Sequence, residues 1–525
     1  MKASQAGWRW ASLLAGAIAL WLSWGPTGAP YITNDGYQYL DAASNLASGQ
    51  CFCTRVAVFD EQVAFGHFPI PFTHFAPGYP LLIAAVARTG AAGAPAAGYL
   101  YSALGFLAVV WLIQDVALAL GARAWVAAAF SLIWITHATA LLYASMVGTE
   151  SLFTALLLLL AALVVRDVRA EGSKPVLTAG IGVVAGLSYW IRYPGLFLTA
   201  AAGLYLIARA WRVPRTRRGA VAGLLAAALL AGAIQIRNAI YTGSWRGAFK
   251  SGGHAPLRVA IDTLRSFSHL VTGDRVPVRF NLWMAIFLLS AALVLGFGAR
   301  AWKGRSSRVG YSFEPLGWTL FIGFAYIGGV MLAALTTIAD DLSRYYLPVY
   351  PLFLACAAVG CSAIAKGWKS LVVILLVLSA ISVESRNLLV RPGPADWILT
   401  KAMLDEEEQP GTSLFQWLQA HVDAEGVILA VEGQAVHYVL QRPVVAVIPA
   451  GDTSRRTDEA GFRTLMRQFR SRYVLLFPNA PADRVPEQNS YGFLRSLAAG
   501  NAPGWLKLAA RTRDAAVYEC ADCAN

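Results

Sequence analysis

Apolar stretches of about 17–25 residues, the length that crosses a bilayer, recur along this chain. They lie near 9–26, 96–119, 124–143, 150–166, 176–191, 194–210, 219–236, 281–299, 316–337, 346–365 and 370–388. Backbone in hydrocarbon must satisfy every amide internally, so a chain built this way has few alternatives to a helical bundle. Hydrophobic residues make up 57% of the 525 positions and charged ones 14%, where soluble domains carry about a quarter charged. The expected fold class is an α-helical polytopic membrane protein with about eleven transmembrane helices. For the first stretch a cleaved signal peptide is the alternative, since Gly28 and Ala29 follow it. Cleavage would strand the charge pattern described next.

The formal charge is +13. Much of it lies in short runs: Arg166, Arg169 and Lys174; Arg209, Arg212, Arg215, Arg217 and Arg218; Arg300, Lys303, Arg305 and Arg308; Lys366 and Lys369. These runs fall on alternate connections, as cytoplasmic loops do under the positive-inside rule. Lys2 and Arg9 precede the first span, so the N-terminus is expected inside and the C-terminal domain outside, in the periplasm. The location implied is the inner (cytoplasmic) membrane, crossed many times, with membrane lipid as a partner. No basic stripe with interleaved aromatics occurs, which argues against a nucleic-acid partner.

Residues 1–390 are therefore read as a membrane domain with two long outer loops, 27–95 and 237–280. In the first, a helix is expected from Tyr37 to Ser48, ended by Gly49. GYPLLIAAVA at 78–87 is apolar but too short to span, so it is expected along or partway into the membrane. Residues 391–410 read as a linker and 411–525 as a small extracytoplasmic α/β domain. Its strands are expected at 426–432, 443–449 and 472–478, with helices around Leu414, Trp417 and Leu418 and at 457–470.

Charge at the membrane edge is informative, because a charge at a helix centre costs about 2.5–3.5 kcal/mol on insertion scales. Asp35 follows the first span and Glu150 opens the fourth, both on the outer side. Asp35 could instead cap a helix starting near Gly36, and Glu150 could serve only a helix N-terminus. Arg192, Arg237 and Arg344 lie on the same side, against the positive-inside bias. Arginines at span ends can snorkel to water, but their forked guanidinium also suits phosphate.

The exit of the first span, with Asp35, Tyr37 and Leu40 in a D-x-Y-x-x-L pattern, precedes HFAPGYPLL at 74–82. MVGTESLF at 146–153, RYPGLFL at 192–198, RNAIYTGS at 237–244 and RYYLPVYPL at 344–352 follow in order. Together they resemble the membrane-embedded GT-C glycosyltransferases, in particular the protein O-mannosyltransferase and lipid A aminoarabinose transferase branch, over most of residues 1–390. The resemblance implies a sugar donor carried on a polyprenyl phosphate and an acceptor at the outer face. It also implies Asp35 as the catalytic base and Glu150 as the second acidic position. Many relatives carry an acidic pair where this chain has Asn34, Asp35 and Gly36, which weakens the argument for metal binding: no cofactor is assigned, and a divalent metal stays open without support from the sequence. Asp41 is a reserve carboxylate.

The residues support this chemistry by themselves. Displacing a phosphate from an anomeric carbon needs a base for the acceptor's proton, and cations ease the leaving phosphate. Asp35 is the expected base and Glu150 a positioning acid. Arg344, Arg237, Arg192, Lys250, His74 and Tyr345 are the candidate phosphate or sugar contacts. Cys356 and Cys361 fall inside a span, whereas Cys51, Cys53, Cys520 and Cys523 fall outside, where disulfides persist. Local bridges within C-x-C and C-x-x-C are open, the first of them cramped; the expectation is that at least one bridge ties the first outer loop to the C-terminal tail, with a zinc site from the same four residues as the competing reading. Two other classes stay open: a transporter or flippase, and a non-catalytic scaffold of the same architecture.

Overall fold

The structure, a computed structural model, describes residues 2–23, 31–58, 64–170, 174–248, 253–272, 314–336, 342–365, 367, 369–388, 396–447, 458–480 and 492–523. Helix α1 (Lys2–Ser23) leads to strand β1 (Tyr31–Ile32) and helix α2 (Asn34–Ala47). Strands β2 (Cys53–Thr54), β3 (Val56–Ala57) and β4 (Ile70–Pro71) follow, and then α3 (Gly78–Arg88) on the short apolar stretch. Next come α4 (Ala94–Ala119), α5 (Ala124–Ile135), α6 (Ala138–Ala144), β5 (Met146–Val147) and α7 (Glu150–Arg169). The bundle is completed by α8 (Pro175–Ile191), α9 (Gly195–Arg212), α10 (Arg217–Thr242), α11 (Pro256–Thr272), α12 (Glu314–Ala334), α13 (Leu342–Tyr346), α14 (Tyr350–Ile364) and α15 (Lys369–Leu388).

Among the described residues, five helical stretches are long and apolar enough to cross a membrane: Ala94–Ala119, Glu150–Arg169, Pro214–Thr242, Glu314–Ala334 and Leu342–Ile364. The bent pair α5–α6 makes a sixth if taken as one span. Other expected spans coincide with α1, α8, α9 and α15, and the one at 281–299 lies outside the described residues. Large side chains such as Leu229, Ile240 and Phe324 stand exposed on the bundle, a surface suited to hydrocarbon rather than water. Where α8 crosses α10, a Cβ on Gly182 would stand 1.9 Å from the Gly223 carbonyl oxygen. Small residues set that close approach.

Two differences from the expected spans have local causes. The stretch at 124–143 bends by 70°. His137 sits in the break: its Nδ1 accepts the Ala140 amide at 3.2 Å, capping α6, while Nε2 donates to the Leu270 carbonyl at 2.7 Å. A side chain inserted into the helical ladder is a recognised source of kinks. The second outer loop also starts later than residue 237, because α10 continues to Thr242 and ends on Gly243 in the left-handed conformation (φ +69°).

At one end of the bundle Asp115 pairs with Arg9 (3.0 Å) and Arg166 (2.7 Å). Beside them Asp167 accepts Arg209 Nε at 3.0 Å, the Tyr205 hydroxyl at 2.5 Å and the Thr178 hydroxyl at 2.6 Å. Arg166 and Arg209, read from sequence only as loop charges, thus also tie α1, α4, α7 and α9 together. Glu150 opens the same α7 whose far end carries Asp167, and 20 residues of helix extend about 30 Å.

The C-terminal residues form α16 (Asp396–Asp405), β6 (Glu407–Gln409), β7 (Thr412–Ser413), α17 (Leu414–His421), β8 (Ile428–Ala430), α18 (Gly433–Leu440), β9 (Val444–Ala446), α19 (Glu459–Gln468), β10 (Tyr473–Leu476), α20 (Gly492–Ala498), β11 (Leu506–Arg511) and β12 (Ala516–Cys520). Part of the segment read as a linker is folded: α16 lies there and Leu404 is fully buried in the core of the sheet. The hairpin β11–β12 went unread because Lys507, Leu508 and Arg511 of β11 face water and blur its alternation.

The sheet has six strands in the order β11-β12-β10-β8-β9-β3. Its last strand comes from the first long loop: Val56 and Ala57 pair in parallel with Val444 and Val445, and the Val444 amide donates to the Arg55 carbonyl at 2.9 Å. Ala57, Ala64 and Ile70 share the core of the C-terminal residues. Gly66 permits the contact, since its φ is +83° and a Cβ there would stand 2.0 Å from the Gln468 carbonyl oxygen.

The cysteine expectation is corrected. Cys51 is bonded to Cys53 and Cys520 to Cys523. The loop joins the sheet through β3, four strands from β12, which is about 19 Å at ordinary strand spacing and beyond the reach of a disulfide. Cys520, Asp522 and Cys523 are clustered, but zinc takes thiolates and these sulfurs are bonded to each other. Non-reducing peptide mapping is expected to find both bridges inside single peptides. A cross-link between the two segments would contradict this pairing.

Candidate active site

Thr33 starts α2: its backbone is extended (φ −80°, ψ 168°) and its hydroxyl accepts the Gly36 amide at 3.2 Å. Thr33 does the capping that the sequence left open to Asp35. Asp35 lies in the first turn, where the helix end favours a carboxylate, and its side chain is available for other partners. Strand β1 pairs in parallel with β5, aligning Ile32 with Val147. Asp35 and Glu150 each lie three residues beyond that pair, so two carboxylates from distant parts of the chain come close together, each in the first turn of a helix.

Arginine holds them together. Arg344 of α13 donates from NH2 to Asp35 Oδ2 and from Nε to Glu150 Oε1, the latter at 3.1 Å. Arg192, at the end of α8, places NH1 2.8 Å from the same Glu150 oxygen. The charges therefore alternate along Asp35, Arg344, Glu150 and Arg192, and sum to zero. Exposure grades along the row: the side chains of Arg192 and Glu150 are 7% and 3% accessible, whereas Arg344 and Asp35 are 27% and 23% accessible. Glu150 is thus the buried anchor and Asp35 the end that an incoming molecule can reach.

Burial by itself pushes the Asp35 carboxyl up. The Arg344 guanidinium outweighs it, Arg192 and His74 add to the effect, and the net shift is below the ordinary carboxylate value. Asp35 is charged at neutral pH.

The other expected residues divide. The Tyr345 ring lies 5.2 Å from the Arg192 guanidinium and 5.8 Å from that of Arg344, a cation–π bridge between the two. His74 Nδ1 donates to the Ala248 carbonyl at 3.1 Å, with the ring within electrostatic reach of Asp35. Arg237 stands apart from the row: it donates to the Phe72 carbonyl and lies 5.0 Å from the Phe52 ring and 5.7 Å from the Tyr241 ring. Among the described residues no carboxylate pairs with it. Lys250 lies outside the described residues. Asp41, the reserve carboxylate, points elsewhere and is bound to Thr54, Arg55 and His437.

Sequence reasoning missed Tyr39, which is 4% exposed, four residues beyond Asp35, and packed edge-on against Phe72, Phe75 and Tyr79. Burial, with the Asp35 and Glu150 carboxylates, raises its phenol well above the usual range, so it remains a neutral hydrogen-bond donor. The four-residue spacing, which puts both on one helix face, was the available signal.

A divalent cation does not fit this donor set as it stands. The position between the two carboxylates is taken by Arg344.

The chain shares its overall fold with solved glycosyltransferases of the membrane-embedded GT-C type. ArnT from Cupriavidus metallidurans bound to undecaprenyl phosphate is similar over 99% of both chains, at 13% identity and a TM-score of 0.56. The arabinofuranosyltransferase AftD from Mycobacteria matches 97% of this chain and 41% of its own, at 15% identity and a TM-score of 0.54. The Archaeoglobus fulgidus oligosaccharyltransferase matches over 88% of this chain and 68% of its own, at 12% identity and a TM-score of 0.52. At such identities the likeness is one of fold. No protein-family model matches the sequence, and neither does any curated protein.

Proposed function

We propose that the protein is a membrane glycosyltransferase that moves a sugar from a polyprenyl-phosphate donor to a lipid, glycan or protein acceptor. The proposed setting is the outer face of the cytoplasmic membrane, in a chain of about eleven crossings whose C-terminal domain is extracytoplasmic. The observation that carries this reading is the accessible Asp35 carboxylate held by Arg344 at the end of a row of buried charge. Asp35 takes the proton from an acceptor hydroxyl or amine as that atom bonds the anomeric carbon. The bond from the anomeric carbon to the phosphate oxygen breaks, and the polyprenyl phosphate leaves with the electron pair. A single displacement of this kind inverts the anomeric centre.

Arg237, a cation without a carboxylate partner among the described residues, is the proposed phosphate contact. Arg344 joins it when the donor draws it from Asp35, and Asp35 then becomes more basic. Glu150 and Arg192 keep the row in register. A transporter is less favoured, because its charges belong near the midplane and this row lies where helices begin and end.

The test is transfer by the purified full-length protein from a panel of polyprenyl-phosphate sugars, together with lipid-linked sugar profiles after gene deletion. Accumulation of one such sugar identifies the donor. No turnover of any donor, with no change in any envelope glycan, would remove the proposal.

A further inference from the structure

The helix that carries Asp35 is gripped further along by a helix of the C-terminal unit. Asp41 lies six residues beyond Asp35, about 9 Å along α2 and about 120° around it, so it faces away from the arginine row. Its carboxylate accepts the Thr54 hydroxyl at 2.7 Å, the Arg55 amide at 2.6 Å and Asn45 Nδ2 at 3.2 Å. These three partners come from α2 and the loop behind it. The fourth is His437 Nε2 at 3.3 Å, from α18 of the C-terminal unit.

His437 is 4% exposed, and its Nδ1 donates to the Arg442 carbonyl at 2.6 Å. Both ring nitrogens therefore face acceptors, an arrangement that only the doubly protonated, charged imidazole satisfies fully. Burial disfavours that charge, the Asp41 carboxylate outweighs it, and the imidazole is shifted up while Asp41 is shifted down. The other charged group acting on the ring is Arg55, which opposes protonation and is itself 3.6 Å from Glu425. The Arg442 guanidinium is turned away to Gln419 and the Val422 carbonyl.

Helix α18 is a fixed support. It connects β8 to β9, and left-handed residues close both its ends, Glu432 (φ +53°) and Gln441 (φ +55°). A Cβ on Gly433 would stand 2.6 Å from Ala446 Cα in β9, so α18 lies directly on the sheet. Its other face meets α2: Ala435 is buried in the cluster that contains Tyr37 and Leu40, and the Tyr438 ring lies 5.2 Å from the Tyr37 ring.

We propose that His437 is a positioning residue: through its pair with Asp41, α18 clamps α2 and so sets where Asp35 stands against Arg344. The C-terminal unit then acts as the brace of the catalytic helix. The functional half of this inference rests on the reading of Asp35 as base; the clamp does not.

The sign of the pH dependence follows from the two shifts. The raised imidazole contributes its full stabilisation below its unfolded value, about 6.5, and loses it as pH rises through the folded value. The depressed Asp41 carboxyl contributes above about 3.9 and loses it as pH falls through its folded value. The clamp is closed between the two folded values, and on the alkaline side it loosens as His437 loses its proton.

The test compares wild type, His437→Ala and His437→Gln as full-length protein in lipid nanodiscs, by amide hydrogen exchange over residues 34–47 and by transfer kinetics across pH. His437→Ala is expected to speed exchange along α2 and to lower kcat by about 10–10²-fold, the scale of a misplacement near 1 Å. KM for the donor should stay within about twofold. His437→Gln keeps an N–H for Asp41 and should recover part of kcat while losing the alkaline limb of the profile. Unchanged exchange in α2 with His437→Ala overturns the clamp, and faster exchange with wild-type kcat overturns the positioning role. If wild type transfers no sugar, the proposed function fails and the exchange data alone decide the clamp.

Discussion

Replacing Asp35 by Asn is expected to lower the turnover of sugar transfer by about 10²–10⁴-fold, the usual contribution of a general base. The amide has almost the same shape and can still accept from Arg344, and Thr33 rather than Asp35 caps α2. The fold, and donor binding through Arg237, should therefore persist. A drop in kcat with little change in donor KM is the signature to look for, because the proton is taken only in the transition state. Wild-type turnover in Asp35→Asn would remove the base assignment. Asp35→Glu lengthens the side chain by one methylene in a row closed by Arg344 and should also turn over slowly.

Replacing Arg344 by Met is expected to damage stability as well as activity. Arg344 is bound to both carboxylates, and removing it leaves Glu150, 3% accessible, facing Asp35 across the gap. Breaking a buried pair by deleting one partner costs about 3–5 kcal/mol. The lower end applies here, because Asp35 and Arg344 remain about a quarter exposed and Arg192 still neutralises Glu150. Arg344→Met/Asp35→Asn removes the charge left facing Glu150 while Arg192 keeps its pair with Glu150, so it should regain much of the lost thermal resistance in detergent while transfer stays low. Arg344→Lys should fall between, since one ammonium cannot reproduce a fork that reaches two carboxylates. Equal stability of Arg344→Met and wild type would mean that the row is looser than its geometry.

The charged residues of the row were legible in sequence for a simple reason. Asp35, Glu150, Arg192 and Arg344 each interrupt the edge of an apolar stretch, and the price of charge in hydrocarbon makes such residues stand out. Their partners were not legible. Arg344 is 309 residues from Asp35, and nothing local to either says that one guanidinium serves two acids. Arg237, which looks like Arg192 and Arg344 in sequence, lies apart against Phe52 and Phe72.

The C-terminal unit divides in the same way. Buried strands β8, β9 and β10 show as short apolar runs, whereas half-exposed β11 does not. The sixth strand could not be found by pattern at all. Val56 and Ala57 are two residues in an irregular loop, and they become a strand only because β9 offers them its edge. The same docking corrected the cysteines, since a loop attached four strands from β12 cannot share a bridge with it.

Sequence by itself determined what is local. The periodicity and length of apolar stretches set the membrane helices, and the strong cost of misplaced charge marked the residues at their ends. Tertiary structure decided what depends on closure of long loops. The two-residue β1–β5 pairing sets Asp35 beside Glu150, His137 bends a span, and α18 braces α2 through Asp41 and His437. Each of these joins residues far apart in the chain through one or two contacts, too few to leave a period or a run, yet strong enough in a buried setting to fix where the charged row stands.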